Sequence, residues 1–116
     1  MRLIIAGGRD FDDYDLLCDK VSKFIGTEQN VTIISGLARG ADTLGCNYAL
    51  ENGYPIEGFA AEWAKYGRGA GLKRNKLMAK SADSLIAFWD GKSRGTMHMI
   101  DFAYEKGLKV EVVHYD

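Results

Sequence analysis

Five of the six arginines in this chain, Arg9, Arg39, Arg68, Arg74 and Arg94, fall in or just after glycine-bearing segments; only Arg2 lies elsewhere. A guanidinium is a planar fork of donors that suits a phosphate or a carboxylate. The glycines are Gly7-Gly8 before Arg9, Gly36 and Gly40 around Arg39, and Gly91 and Gly95 around Arg94. Glycine lets backbone approach a ligand closely and adopt positive φ. Tight turns need glycine for the same reason, so each pair alone is a weak signal. Charge that served solubility only would be scattered over the chain. The coincidence of arginine with glycine points instead to an anion-binding surface.

The sharpest single segment is Ser93-Arg94-Gly95-Thr96, which opens a helical pattern. Unpaired N–H groups and the helix dipole attract an anion at such a start, and the Ser93 or Thr96 hydroxyl can add a hydrogen bond. An ordinary Ser or Thr cap reads the same way. The segment is not a Walker A loop, since it has no Gly-Lys-Ser/Thr ending. Gly7-Gly8-Arg9-Asp10-Phe11-Asp12 likewise lacks the later glycine of the dinucleotide fingerprint. Asp10 and Asp42 can each accept a ribose hydroxyl or orient an arginine, and Arg9, Asp10 and the Ser35-Gly36 turn can hold a ribose or a second phosphate. A first-turn helix charge is the competing role for Asp42, and turn formation competes at Asp90. Trp63 and Tyr66 are the aromatics placed to stack on a base, whereas Trp89 reads as core. His98 reads as packed or facing solvent.

These residues are carried by an alternation of two segment types. Residues 2–6 form a nearly continuous apolar run, the pattern of a strand covered on both faces. Asp12 and Asp13 can cap a helix in which Leu17, Val21, Phe24 and Ile25 share one face, with Gly26 as its stop. Strands are predicted over 31–35, 56–60, 84–89 and 108–115, and further helices over 41–50, 72–80 and 96–106. Residues 62–71 read as a polar, aromatic, glycine-rich loop. The order β-α-β-α-β-α-β-α-β implies an α/β Rossmann-like three-layer sandwich with a five-stranded, mostly parallel sheet. Strand order 3-2-1-4-5 follows, with the switch point between the first and fourth strands. Every arginine but Arg2 then lies at the carboxyl end of the sheet.

The 116 residues suffice for one domain, 1–116, and 47% hydrophobic content supports one core. The longest apolar runs have strand length, so no membrane span is predicted. The chain enters a strand directly, so no signal peptide is expected. Cys18 and Cys46 are widely spaced and read as reduced thiols of a cytoplasmic protein. No residue cluster has metal-ligand spacing, and no cofactor is expected. A formal net charge of −1 argues against a broad nucleic-acid binder.

Four segments together resemble the SLOG superfamily, in its small YspA-like, YpsA-related branch. They are Ala6 to Phe11, Ser35 to Asp42, Gly71 to Met78 and Phe88 to Thr96, in order over nearly the whole chain. The resemblance implies a Rossmann-like fold and a nucleotide-derived ligand. It also implies dimerisation through helices; Met78, Met97 and Met99 could form such a face, and a core role competes. Arg74 and Met78 resemble the Arg-Lys-x-x-Met segment of the LOG phosphoribohydrolases, with Asn75 in place of the lysine. Gly95-Thr96 resembles their Gly-Gly-x-Gly-Thr-x-x-Glu loop, but the glutamate position is Met99, which cannot activate water. The resemblance therefore implies binding, with N-glycosidic hydrolysis through Asp10, Asp42 or Asp90 as the alternative. Ser35 to Asp42 is also similar to a motif of the DNA-processing protein A family, which implies single-stranded DNA binding as a third reading. SLOG domains that sense ADP-ribose-type signals imply a sensor, an enzyme of signal metabolism or a phage protein that sequesters the signal. A phage protein of this kind would work in the host cytoplasm.

Overall fold

A computed structural model describes residues 1–116. Its strands are β1 (Arg2–Gly7), β2 (Thr32–Ser35), β3 (Ile56–Gly58), β4 (Ser84–Trp89) and β5 (Lys109–His114). Its helices are α1 (Tyr14–Ile25), α2 (Ala41–Asn52), α3 (Trp63–Tyr66), α4 (Ala70–Ser81) and α5 (Arg94–Glu105). The sheet order is β3-β2-β1-β4-β5 and every pairing is parallel. This is the predicted Rossmann-like arrangement, with no antiparallel edge.

The period-two alternation of β1 builds both cores at once. Leu3 and Ile5 face one way and join Leu17, Val21, Phe24 and Ile25 of α1 with Tyr48 and Ala49 of α2. Ile4 and Ala6 face the other way and join Met78 and Ala79 of α4 with Met99, Ile100 and Ala103 of α5. Leu3, Ile4 and Ile5 are wholly buried, and each contributes roughly 1.5–3 kcal/mol by leaving water. Met78 and Met99 sit in this second core, while Met97 is partly exposed. The three methionines therefore do not form one shared outer face.

Two local expectations are corrected. Asp13 alone caps α1, its side chain accepting from the Leu16 N–H at 3.0 Å. Residues 62–71 are not a loop: they hold α3, a 3₁₀ turn over Gly67–Gly69 and the start of α4 at Ala70. α4 begins two residues early, with Ala70 buried in its first turn while Leu72 and Lys73 stay exposed. No helix is long and apolar enough to cross a membrane.

Candidate functional site

The loop after β1 is held from three sides. The Gly8 carbonyl accepts the Phe11 N–H at 3.3 Å and the Ala41 N–H at 3.2 Å, which ties the start of α2 to the first loop. Gly40, at φ +77°, makes this contact possible, since any side chain there would overlap the Gly8 carbonyl and the Arg9 backbone. Phe11 stacks on Phe88 with centroids 4.7 Å apart and meets Tyr115 edge-on at 4.9 Å. The Tyr115 hydroxyl donates to Asp10 Oδ1 at 2.6 Å. Burial, with the Asp10 carboxylate beside it, pushes that phenol well above its ordinary pKa. It therefore stays a donor, and Asp10 keeps its second oxygen for another partner.

The loop after β2 is organised by its own side chains. Ser35 Oγ accepts the Leu37 N–H at 3.1 Å, and buried Asp42 accepts the Ala38 N–H through Oδ2 at 3.2 Å. Burial raises the Asp42 pKa; the Ala38 N–H and the charges of Arg74 and Arg9 oppose that shift.

Arg74 links this loop to α5. Its Nη1 donates to the Gly36 carbonyl and its Nε donates to Asn75 Oδ1 at 2.9 Å. Asn75 in turn donates to the Gly95 carbonyl at 3.3 Å. Gly36 leaves room for both Arg74 and Asp42, which a Cβ would meet at 2.7 and 2.8 Å. Half-burial lowers the Arg74 pKa, and Asp42 opposes this. Both partners are thus desolvated, and neither neutralises the other by direct contact.

The loop after β4 opens α5 with a side-chain cap. Asp90 Oδ1 accepts the Lys92 and Ser93 N–H groups, each at 2.8 Å, and these bonds hold its carboxyl below the usual range. Trp89 donates its indole N–H to the Ser93 carbonyl at 3.0 Å. Ser93 is the N-cap; its hydroxyl accepts the Thr96 N–H at 3.5 Å and lies 3.2 Å from Thr96 Oγ1. The N–H groups of Arg94 and Gly95 belong to the first turn, where the helix supplies no acceptor.

These loops surround a cleft of about 590 Å³ at the carboxyl end of β1 and β4, where the strand order reverses. The first loop contributes Gly7, Gly8, Arg9 and Asp10 to its lining. Asp42, Arg74 and Asn75 form one wall, and Ser93, Gly95 and Thr96 form another. Gly36 and Arg39 line an adjoining lobe of about 320 Å³. Ser35 and Gly40 shape the loops without lining either space. Arg94 is exposed and lies outside both.

Sequence reasoning left several lining residues out of the site. Gly71 and Leu72 line the cleft although neither was a candidate side chain, whereas Trp63, the expected stacking aromatic, and Arg68, one of the grouped arginines, reach it from the segment over 63–69. His98, read as packed or facing solvent, also lines it, as does Met99. The signal for these two was helical spacing, since residues 98 and 99 follow Gly95 by three and four positions.

Residues 1–66 match the model of the YspA, cpYpsA-related SLOG family. The Gene 61 protein of Mycobacterium phage D29 is 32% identical over 121 aligned residues, covering 94% of this chain and 93% of that protein. The X-ray structure of DNA processing protein A (DprA) from Streptococcus pneumoniae shares the fold, with a TM-score of 0.76 at 21% identity. That match covers 99% of this chain and 50% of the DprA chain, so this protein spans half the length of that structure.

Proposed function

The chain belongs to the YspA, cpYpsA-related SLOG family, and on that premise we propose that its cleft binds a phosphorylated nucleotide-derived small molecule of the nucleoside phosphate or ADP-ribose type. The observation that carries the proposal is the convergence of Arg9, Arg68 and Arg74 with the start of α5 on one cleft at the sheet's switch point. The phosphate sits over the Gly95 and Thr96 backbone, where first-turn N–H groups and the helix dipole favour an anion. Arg74 is pre-positioned by its bonds to Gly36 and Asn75, so little side-chain freedom is lost on binding. Asp10 accepts ribose hydroxyls through its free oxygen. Trp63, 52% exposed at the cleft, offers a face on which a base stacks.

Thermal denaturation with AMP and ADP-ribose tests this reading. A ligand at a hundredfold its Kd stabilises by about 2.7 kcal/mol, which raises Tm measurably in a chain of this size. No shift at millimolar concentration of either compound refutes the proposal.

A second reading has one observation in its favour. Asp10, Asp42 and Asp90 all line the cleft, and Asp42 is buried there, which raises its pKa against the opposing Ala38 N–H and the charges of Arg74 and Arg9. On this reading the protein hydrolyses the N-glycosidic bond of its ligand. Chromatography after incubation with AMP or NAD separates the two: free base supports hydrolysis, and intact nucleotide supports binding alone.

A further inference from the structure

The two adjoining spaces differ in charge. The larger lobe carries Arg9, Arg68 and Arg74 against Asp10, Asp42 and Asp90, so its arginines and carboxylates balance. The smaller lobe is lined by Arg9, Arg39 and Arg74 and by no acidic residue. Arg9, Arg74, Ala38 and Trp63 line both, so the lobes form one continuous cleft with two arginines at the junction. The chain's ion pairs are Arg2 with Glu57 and Lys23 with Asp19, which leaves Arg9 and Arg39 without a carboxylate partner. Three guanidinium groups around one small lobe repel each other, and the Asp42 carboxylate offsets this only for Arg9 and Arg74 and only from the larger lobe.

The wall of this lobe is also built with strain. Leu37 has φ +59°, a left-handed conformation that a leucine seldom adopts and that costs about 1–3 kcal/mol. Three contacts hold it there. Ser35 Oγ takes the Leu37 N–H, and Asp42 takes the next N–H along. The Leu37 side chain packs over Gly58 of β3, where a Cβ would come within 2.8 Å of its Cδ1. The loop is thus fixed in a shape that places Arg39 on the same lobe as Arg9 and Arg74, and Arg39 itself has no carboxylate partner.

We infer that the lobe bounded by Arg9, Arg39 and Arg74 is a second anion subsite, so that the ligand carries two phosphate groups: one at the start of α5 and one in this lobe. The inference rests on the nucleotide-binding reading above and narrows it. A nucleoside monophosphate fills only the larger lobe, whose carboxylates suit hydroxyl and amino groups. A ligand with a second phosphate also neutralises the smaller lobe, and Arg39 becomes the residue that distinguishes the two classes.

Calorimetric titration with AMP, ADP, ADP-ribose and adenosine 3′,5′-bisphosphate tests this at matched base. At least one two-phosphate compound is expected to bind about tenfold tighter than AMP or better, the size of one charge-assisted contact. In Arg39→Gln that ratio is expected to fall to near one, while in Lys80→Gln, an exposed lysine outside both lobes, it persists. Arg39 is itself exposed, so Arg39→Gln is expected to fold, and its Tm without ligand checks that. If AMP binds as tightly as every two-phosphate compound, the second subsite is refuted while nucleotide binding stands. If Arg39→Gln weakens AMP as much as the others, Arg39 is a general attractor and the subsite is again refuted. If none of the four binds, the nucleotide reading fails and the inference fails with it.

Discussion

The two ends of the sheet use arginine in opposite ways. At the amino end, Arg2 is paired: its guanidinium bonds Glu57 at 2.6 Å and the Ser81 carbonyl, and its backbone N–H donates to Asp83 at 3.0 Å. At the carboxyl end, Arg9 and Arg39 have no carboxylate partner, and Arg74 spends its hydrogen bonds on a carbonyl and an amide. Arg2 is paired with a carboxylate at one end, whereas the arginines at the other end have none. The loops around those arginines also carry close backbone contacts and positive φ.

Glycine substitutions give the largest expected separation of the two ends. Gly40 and Gly53 share a positive φ, +77° and +72°, but Gly53 is left-handed helical at ψ 24°, whereas Gly40, at ψ −127°, lies outside that region and is also pressed against another backbone. Gly53→Ala is expected to cost about 1 kcal/mol for the left-handed conformation alone. Gly40→Ala is expected to cost about 3 kcal/mol or more, because the Gly8 loop must also move. Urea denaturation measures both; equal costs would mean that the contact between the first two loops contributes nothing.

Arginine substitutions come next. Arg74→Ala is expected to weaken nucleotide binding by about 1.5–3 kcal/mol, the range for charged hydrogen bonds. Arg2→Ala is expected to leave affinity unchanged and to cost stability of up to about 1 kcal/mol, since its ion pair is partly exposed. A loss of affinity in Arg2→Ala would remove the distinction between the ends.

A pH comparison probes the buried acid of the prepared end. The folded state raises the Asp42 pKa above its ordinary 3.8, so it holds that proton more tightly than the unfolded chain does. Its contribution to stability is greatest below pH 3.8 and is lost as pH rises through the raised value. Asp42→Asn is expected to flatten the change in stability between pH 4 and pH 7, read by denaturation at each pH. A steeper change would mean that attraction to Arg74 and Arg9 outweighs burial.

The smallest effect is expected at Arg94. It lies at the binding end in sequence but outside the cleft in space. Arg94→Ala is expected to change nucleotide affinity by less than about threefold, as for an exposed, unpaired charge. A loss as large as that of Arg74→Ala would place the ligand on the outer side of α5.

Much of this protein was legible before folding was considered. The alternation of short apolar runs with helical periodicity determined the strand count, the parallel sheet and its order, because a run buried on both faces needs helices on both sides. Glycine at the strand ends determined which loops could approach a ligand. Local pattern could not determine which way side chains on those loops turn. A four-residue helix such as α3 is not stable alone, and neither it nor the turn after it buries a residue, so no local pattern marked the segment that brings Trp63 and Arg68 to the cleft. Arg74 and Arg94 look equivalent in sequence. The tertiary structure separates them: Arg74 is caught between Gly36 and Asn75, while the Ser93 cap sets the rotation of α5 that turns Arg94 outward and His98 inward. The division of the arginines into a balanced lobe and a purely cationic one has the same origin. It depends on contacts between loops far apart in the chain, which no local spacing records.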